Sequence, residues 1–268
     1  KRQDRTTRII SIWDQTTQTG APPNGFTSGT EYTRPVINDA LRYAEPLSVL
    51  PFTDLTGHGT AIASIIAGSP NENQSFSGVV PNSELVIVKL KEAKNNLKMI
   101  FKVPEDKLCY QESDIILGVR YLISVGQRLK RPIVICLAMG SNQGSHDGRS
   151  ALSTFLENVV QIPDIGIVIS AGNQGNTNRH YFGQNYFSPH VKDFQLNISP
   201  EDSMFSMEIW PHVPGRLSIE VTAPNGELIS QINPSFDACE QYTLQSSDSI
   251  LWINNMAFEP VSYTHLRA

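Results

Sequence analysis

Short apolar runs alternate with amphipathic stretches over the first two thirds of the chain. The apolar runs have the length of strands and lie at 9–14, 85–90, 133–139 and 166–171. Between them, apolar residues recur at spacings of three and four, which predicts helices that begin near Arg34, His58, Glu112 and Ser150. Strands that alternate with helices are typical of parallel strands joined by crossover helices. The pattern therefore predicts an α/β fold built on a parallel sheet.

The pattern changes near Val191, where apolar and polar residues begin to alternate one by one. Such alternation predicts half-buried antiparallel strands, here at 205–210, 216–221, 227–232 and 250–253. Asn225-Gly226 is the clearest hairpin signal among the turns that separate them. These strands are too few to close a two-sheet sandwich. We expect a core domain over 1–190, a partial β-rich module over 191–260, and a non-native tail over 261–268.

Composition and charge narrow the class of protein. The chain has 268 residues, 40% hydrophobic and 18% charged, which is enough for a sizeable core and for more than one unit. A formal net charge of −5 without long like-charge runs argues against a nucleic-acid partner. No window approaches eighteen continuous apolar residues, so no membrane segment is predicted.

The three cysteines add no chemistry of their own. Cys109, Cys136 and Cys239 are far apart and form no Cys-x-x-Cys pair, so neither a zinc site nor a disulfide framework is indicated. We expect no metal and no cofactor. Cys136 falls inside an apolar run, which predicts a small buried side chain.

A histidine between two glycines, Gly57-His58-Gly59-Thr60, precedes an apolar stripe with helical spacing. This places His58 in the first turn of a helix, facing a cleft. The positive end of the helix dipole disfavours an imidazolium there, and a neutral imidazole is the form that can accept a proton. The alternative is a glycine-bounded turn that happens to contain a histidine.

A second short motif, Ala171-Gly172-Asn173-Gln174-Gly175, ends an apolar strand abruptly. Asn173 would then lie at the carboxyl end of a central strand, the edge at which open α/β sheets bind ligands. An asparagine amide at that edge can donate a hydrogen bond to an oxygen on which negative charge develops. The alternative is ordinary turn chemistry.

In order and spacing, these two motifs resemble those of the subtilisin-like serine peptidases. Three further stretches, at 12–16, 140–148 and 172–176, resemble the clostridial Csp-type subtilases, which include spore-germination proteases. The similarity covers about residues 1–265. It implies a three-layer core around a parallel sheet, followed by a jelly-roll-like insertion that begins before the serine-bearing helix. A Csp-like protein would be spore-associated or exported.

The resemblance also implies roles for particular residues. His58 would be the general base and Asn173 the side-chain donor of the oxyanion hole. Ala138, Met139 and Gly140 would form the strand along which a substrate backbone pairs, and Ser170, Ala171 and Gly172 the opposite wall of the cleft. The substrate would be a protein or peptide, with a proenzyme among the candidates.

Two residues of the family's Ser-His-Asp triad have no counterpart in the sequence. The serine segment Gly-Thr-Ser-x-Ala-x-Pro is missing, and no Asp-Thr-Gly or Asp-Ser-Gly turn follows the first strand. We expect both residues to lie outside the chain, so that residues 1–268 alone are inactive. Asp14 also ends a strand, but Gln15 and Thr16 follow it in place of small residues, which favours a structural or turn-forming carboxylate.

Two alternatives to a peptidase remain at this point. Csp-type proteins that keep the fold but lack triad residues can act as signalling or binding partners in spore germination, so a non-catalytic pseudoprotease is the main alternative. A nucleotide-binding α/β domain is disfavoured, because neither Gly-x-Gly-x-x-Gly nor Gly-Lys-Ser/Thr occurs.

Overall fold

The fold is known from a computed structural model that describes residues 4, 6–183, 191–200, 205–211, 217–232, 238–244 and 250–255. Chain contacts divide it into two compact units. The first comprises 1–93, 108–140 and 155–175, and the second comprises 94–107, 141–154 and 176–268. The expected boundaries at 190/191 and 260/261 stay predictions, and the expected tail over 261–268 lies outside the described residues.

Helices and strands alternate through most of the chain. The described strands are β1 Ile9–Asp14, β2 Thr30–Thr33, β3 Leu85–Lys89, β4 Ile133–Leu137, β5 Ile165–Ile169, β6 Ile219–Thr222, β7 Leu228–Ile232, β8 Ala238–Thr243 and β9 Ile250–Asn255. The described α-helices are α1 Arg34–Ala40, α2 Pro46–Val49, α3 His58–Ala67, α4 Asn95–Ile100, α5 Glu112–Leu129 and α6 Ala151–Val159, and a short 3-10 helix covers Glu72–Gln74. The predicted α/β content of the first two thirds is confirmed.

The strands of the first unit form two small sheets. In one, β1 lies at the centre, parallel to β3 and antiparallel to β2. In the other, β4 and β5 are parallel, with Ile133 opposite Ile165 and Leu137 opposite Ile169. The two strands run in the same direction and are paired from their first residue to their last, so the carboxyl ends of β4 and β5 lie side by side. The short β2 has no counterpart among the predicted strands.

The two faces of β1 anchor two separate clusters, because successive strand side chains point to opposite faces. Ile12 packs with Tyr32 and with Ile37 of α1. Trp13 packs on the other face with Tyr121 and Val125 of α5, and its ring centroid lies 5.3 Å from that of Tyr121. Helices thus cover this sheet on both sides.

A buried hydroxyl pair fastens α5 to β1. The Ser11 and Tyr121 hydroxyl oxygens are 2.6 Å apart, and the Tyr121 hydroxyl donates to Glu31 Oε1 at 2.8 Å. Burial raises the pKa of the Tyr121 hydroxyl above its ordinary value, and the nearby Glu31 carboxylate raises it further. The hydroxyl therefore remains protonated and serves as a donor.

The expectation that Cys136 is buried is wrong. Cys136 is exposed, and Val168 and Ile169 of β5 are each more than half exposed. Cys136 pairs with Val168 in the parallel register, and Val134 on the same face of β4 is 73% exposed. Ile135, which points to the other face, is 1% exposed. Ile169 is 56% exposed although it pairs with Leu137 on the face of Ile135, so burial is confined to part of this face. An apolar run by itself does not reveal which of its side chains are buried.

The second unit contains two antiparallel hairpins among its described residues. One joins β6 to β7 and the other joins β8 to β9. The predicted Asn225-Gly226 hairpin is confirmed: Gly226 has a φ of +86° and its N–H donates to the Ala223 carbonyl at 2.9 Å. Antiparallel strands overlap three of the four stretches at which alternation predicted them, and assignment to a jelly roll stays a prediction.

Two details of the β-rich region differ from expectation. Residues 205–210 carry the alternating pattern yet form no strand, because alternation alone supplies no neighbouring strand to complete the hydrogen bonds. Conversely, β8 was not predicted, since its sequence Ala-Cys-Glu-Gln-Tyr-Thr is mostly polar. β8 pairs with β9 over its whole length, and this pairing supplies the hydrogen bonds that make it a strand.

Candidate active site

His58 occupies the first position of α3, as predicted. The helix begins there because Gly57 adopts a left-handed φ of +72°, which a side chain would strain, and its carbonyl accepts the first helical hydrogen bond from Ala61 N at 2.9 Å. His58 is exposed. Its imidazole is therefore presented from a helix end rather than from a loop.

Asp54 caps this helix from outside it. One carboxylate oxygen accepts hydrogen bonds from Gly57 N and Thr56 Oγ1, at 3.0 and 3.2 Å. The other accepts from Thr60 N and Thr60 Oγ1, both at 2.8 Å. The bonds from Thr60 foremost, and those from Gly57 and Thr56, lower the pKa of Asp54 to about 2.

Asp54 was missed by sequence reasoning, although a signal was present. An acidic residue shortly before a helix start is favoured by the unpaired N–H groups of the first turn and by the helix dipole. Gly57 cannot supply a cap of its own, because it has no side chain.

The imidazole of His58 reaches the residues that follow β4. His58 Nε2 lies 2.9 Å from the carbonyl oxygen of Ala138. A carbonyl can only accept, so Nε2 carries the proton in this contact. The candidate base is thereby joined to the predicted substrate-binding strand.

Ser170 bonds to the other side of the segment 137–139, the side that faces away from His58. Ser170 N donates to the Leu137 carbonyl at 3.1 Å, and Ser170 Oγ donates to the Met139 carbonyl at 3.0 Å. Alternate carbonyls of an extended chain point the same way, so Leu137 and Met139 face Ser170 while Ala138 faces away, toward His58. Among the described strands, β4 pairs only with β5.

Asn173 lies in the loop that follows β5. Gly172, with a φ of +83°, turns the chain immediately before it, and residues 170–175 are exposed. Because β4 and β5 are parallel, this loop leaves the sheet at the same edge as Ala138, Met139 and Gly140. The structure therefore links His58, Ala138, Met139 and Ser170 by direct contacts, and it places Ala171, Gly172 and Asn173 in the adjoining loop.

Comparison with known proteins shows which family the chain belongs to. Residues 43–231, which contain both motifs, match the subtilase family, whose members are classed as peptidase S8. The chain belongs to the subtilase family. The solved structure of the CspB protease of Clostridium perfringens resembles it with a TM-score of 0.68 and 26% sequence identity. The match covers 90% of this chain and 47% of that one, so the chain spans about half the length of this structural relative. Among curated proteins, none matches it significantly.

Asp14 of this subtilase has other partners. It is fully buried, and its Oδ1 accepts hydrogen bonds from Thr16 N and Thr16 Oγ1, at 2.8 and 2.5 Å. Its Oδ2 lies 3.7 Å from Lys89 Nζ. A hydrogen bond donated by a backbone N–H to the carboxylate of an aspartate two residues earlier is an Asx turn, which is a structural use of aspartate at a strand end.

Neither a metal-binding cluster nor a membrane-spanning helix occurs in the described part of the subtilase. No three His, Cys, Asp or Glu side chains among the described residues lie close enough together to hold a metal ion. No described helix is both long enough and apolar enough to cross a bilayer.

Proposed function

We propose that this subtilase chain supplies the general base, the oxyanion donor and the substrate-binding strand of a serine endopeptidase. The contact between His58 Nε2 and the Ala138 carbonyl supports the proposal, because it joins an exposed imidazole to the segment along which we expect a substrate backbone to pair. Family membership supports the class of reaction, namely hydrolysis of peptide bonds in protein substrates.

His58 would act through Nε2. A serine hydroxyl, which we place outside residues 1–268, would attack the scissile carbonyl while Nε2 takes its proton, and the imidazolium would then protonate the leaving amine. The reaction requires Nε2 to be unprotonated when the serine attacks. The contact with Ala138 is therefore a resting state, in which Nε2–H occupies a carbonyl that a substrate N–H would otherwise use.

Asn173 would stabilise the oxyanion. Its amide sits in an exposed loop beside the carboxyl ends of β4 and β5, where it can donate to the oxygen that becomes negative in the tetrahedral intermediate. Ala138, Met139 and Gly140 would bind one side of the substrate, and Ser170, Ala171 and Gly172 would line the other.

We place these residues in a subtilisin-like domain over 1–190, built as a three-layer core. The strands that follow would be part of a jelly-roll-like module over 191–260, supported by the two hairpins β6–β7 and β8–β9. Similarity to the CspB protease supports a Csp-like assignment. We keep a proenzyme as one candidate substrate.

A non-catalytic pseudoprotease is the second candidate function. It is favoured by one observation, the absence of a serine segment of the family type anywhere in the 268 residues. Such a protein would use the same groove to bind a peptide without cleaving it.

Labelling with a fluorophosphonate, which reacts with activated serines, separates the two functions. The longest reading frame that contains residues 1–268 should be labelled, and labelling should be lost in His58→Ala. Residues 1–268 alone should neither be labelled nor cleave peptides. A full-length protein that stays unlabelled while binding peptide would establish the pseudoprotease.

A further inference from the structure

We propose that Asp54 is a positioning residue for His58, holding the turn that delivers the imidazole to the edge of β4. The inference rests on the proposed role of His58 as general base. It concerns a carboxylate that touches the backbone around His58 rather than any reacting atom.

The carboxylate bonds to the chain on both sides of His58. Gly57 N, immediately before the histidine, donates to Oδ1, and Thr60 N, two residues after it, donates to Oδ2. A Cβ built on Gly59 would lie 3.6 Å from the same Oδ2, so the carboxylate also lies against that residue. One rigid planar group thus spans the turn that contains His58.

Side-chain hydroxyls complete the cradle. Thr60 Oγ1 donates to Oδ2 and Thr56 Oγ1 donates to Oδ1, which gives each oxygen one backbone and one hydroxyl donor. Hydrogen bonds to an ionised acceptor are roughly twice as strong as those between neutral groups. The site is exposed, so the orientation of this turn depends on these local bonds rather than on surrounding packing.

The orientation matters because the reach of the imidazole is short. In the resting state Nε2 meets the Ala138 carbonyl at 2.9 Å. The same helix end carries the ring when it acts as a base, and a displacement of a catalytic group by about 1 Å can cost catalysis roughly a hundredfold. The four bonds lower the pKa of Asp54 to about 2, so the carboxylate stays charged wherever a histidine can act as a base.

The test compares Asp54→Ala and Asp54→Asn in residues 1–268 by NMR at pH 7. Two signals are followed: the nuclear Overhauser effects between the His58 ring and Ala138, and the exchange rate of the Thr60 amide. In Asp54→Ala the ring contacts should disappear and amide exchange should rise roughly fivefold or more. Asn keeps one of the two accepting oxygens, so Asp54→Asn should give an intermediate result.

Two further variants keep the test decisive. Thr60→Val preserves shape and removes one of the four donors, so it should weaken the same contacts even if Asp54→Ala does not fold. Asp147→Ala is the matched control, because Asp147 is an exposed aspartate that also accepts a local backbone bond, from Arg149 N at 3.0 Å. It should leave the His58 signals unchanged. Ring contacts that keep their full intensity in Asp54→Ala or in Thr60→Val would overturn the proposal.

Failure of this proposal can be told apart from failure of the proposed function. If His58→Ala in the longest reading frame retains full fluorophosphonate labelling, His58 is not the base, whatever Asp54 does to its ring. If labelling is lost in His58→Ala but the ring contacts are unchanged in Asp54→Ala, His58 is still supported as the base and the positioning role of Asp54 is rejected.

Discussion

His58 and Ala138, which are remote in sequence, meet through a hydrogen bond of 2.9 Å from Nε2 to the carbonyl oxygen. The bond joins the first turn of α3 to the segment that extends β4. It brings the proposed general base to the segment that we propose binds a peptide backbone. Substitutions at this meeting point and at the contacts that support it therefore have distinct expected effects.

Replacing His58 should remove the base and leave the fold intact. In the longest reading frame, His58→Ala should lower kcat by about 10²–10⁴, the usual contribution of general base catalysis. Peptide hydrolysis measured by steady-state kinetics checks this. His146→Ala is the control, since His146 is also exposed and also contacts a backbone carbonyl, that of Asn142. Comparable losses in both variants would contradict a specific role for His58.

Replacing Asn173 should destabilise the transition state more than it weakens substrate binding. Loss of one oxyanion-hole donor costs about 10²–10³ in kcat, the magnitude measured for the oxyanion-hole asparagine of subtilisin. We expect a fall of that size in Asn173→Ala with KM little changed, and no such fall in the neighbouring Asn176→Ala. Equal effects on kcat and KM would argue for a binding role instead.

Ser170→Ala should affect substrate binding more than chemistry. The Ser170 hydroxyl fixes the Met139 carbonyl at 3.0 Å, and a hydrogen bond of this kind contributes about 0.5–1.5 kcal/mol. KM should therefore rise severalfold while kcat changes little. Ser48→Ala removes a similar bond from a hydroxyl to a carbonyl elsewhere, at 2.7 Å, and should leave KM unchanged. A fall in kcat alone would contradict this assignment.

Tyr121→Phe should destabilise the first unit. It leaves Ser11 and Glu31 without the Tyr121 hydroxyl, and an unsatisfied buried polar group costs about 1–3 kcal/mol. Urea unfolding of residues 1–268 measures the loss. Tyr43→Phe is the control, because Tyr43 is 54% exposed and should tolerate the change. Similar midpoints for both variants would rule out the buried network as a source of stability.

The Asp54 carboxyl should titrate with a pKa of about 2, below its ordinary value of 3.8. Because the pKa is lower in the folded state, the stability that Asp54 gives to α3 is complete above about pH 4 and is lost as the pH falls through about 2. Carbon-13 NMR of the carboxyl group measures the midpoint. Thr60→Val should move it upward; an unchanged midpoint would mean that Thr60 does not stabilise the charge.

Much of the secondary structure was predictable because it is local. Apolar spacing anticipated α3, α5 and the strands β1, β3, β4 and β5, and Asn225-Gly226 anticipated a hairpin. The exposure of Cys136 was not predictable in this way, because burial depends on which sheet face another element covers. The strand expected at 205–210 failed for a related reason, since a strand needs a partner to complete its hydrogen bonds.

The sequence by itself determined the kinds of groups available: an imidazole at a helix start, an amide after a strand, and a short apolar segment between them. Those properties depend on neighbours in the chain, which set helix starts, turns and alternation. Only the tertiary structure decided that Nε2 of His58 meets Ala138, that Ser170 holds Met139, and that Asp54 spans the turn around His58. The first two contacts join segments far apart in sequence, and the third depends on the direction of a side chain, so spacing alone could not specify any of them.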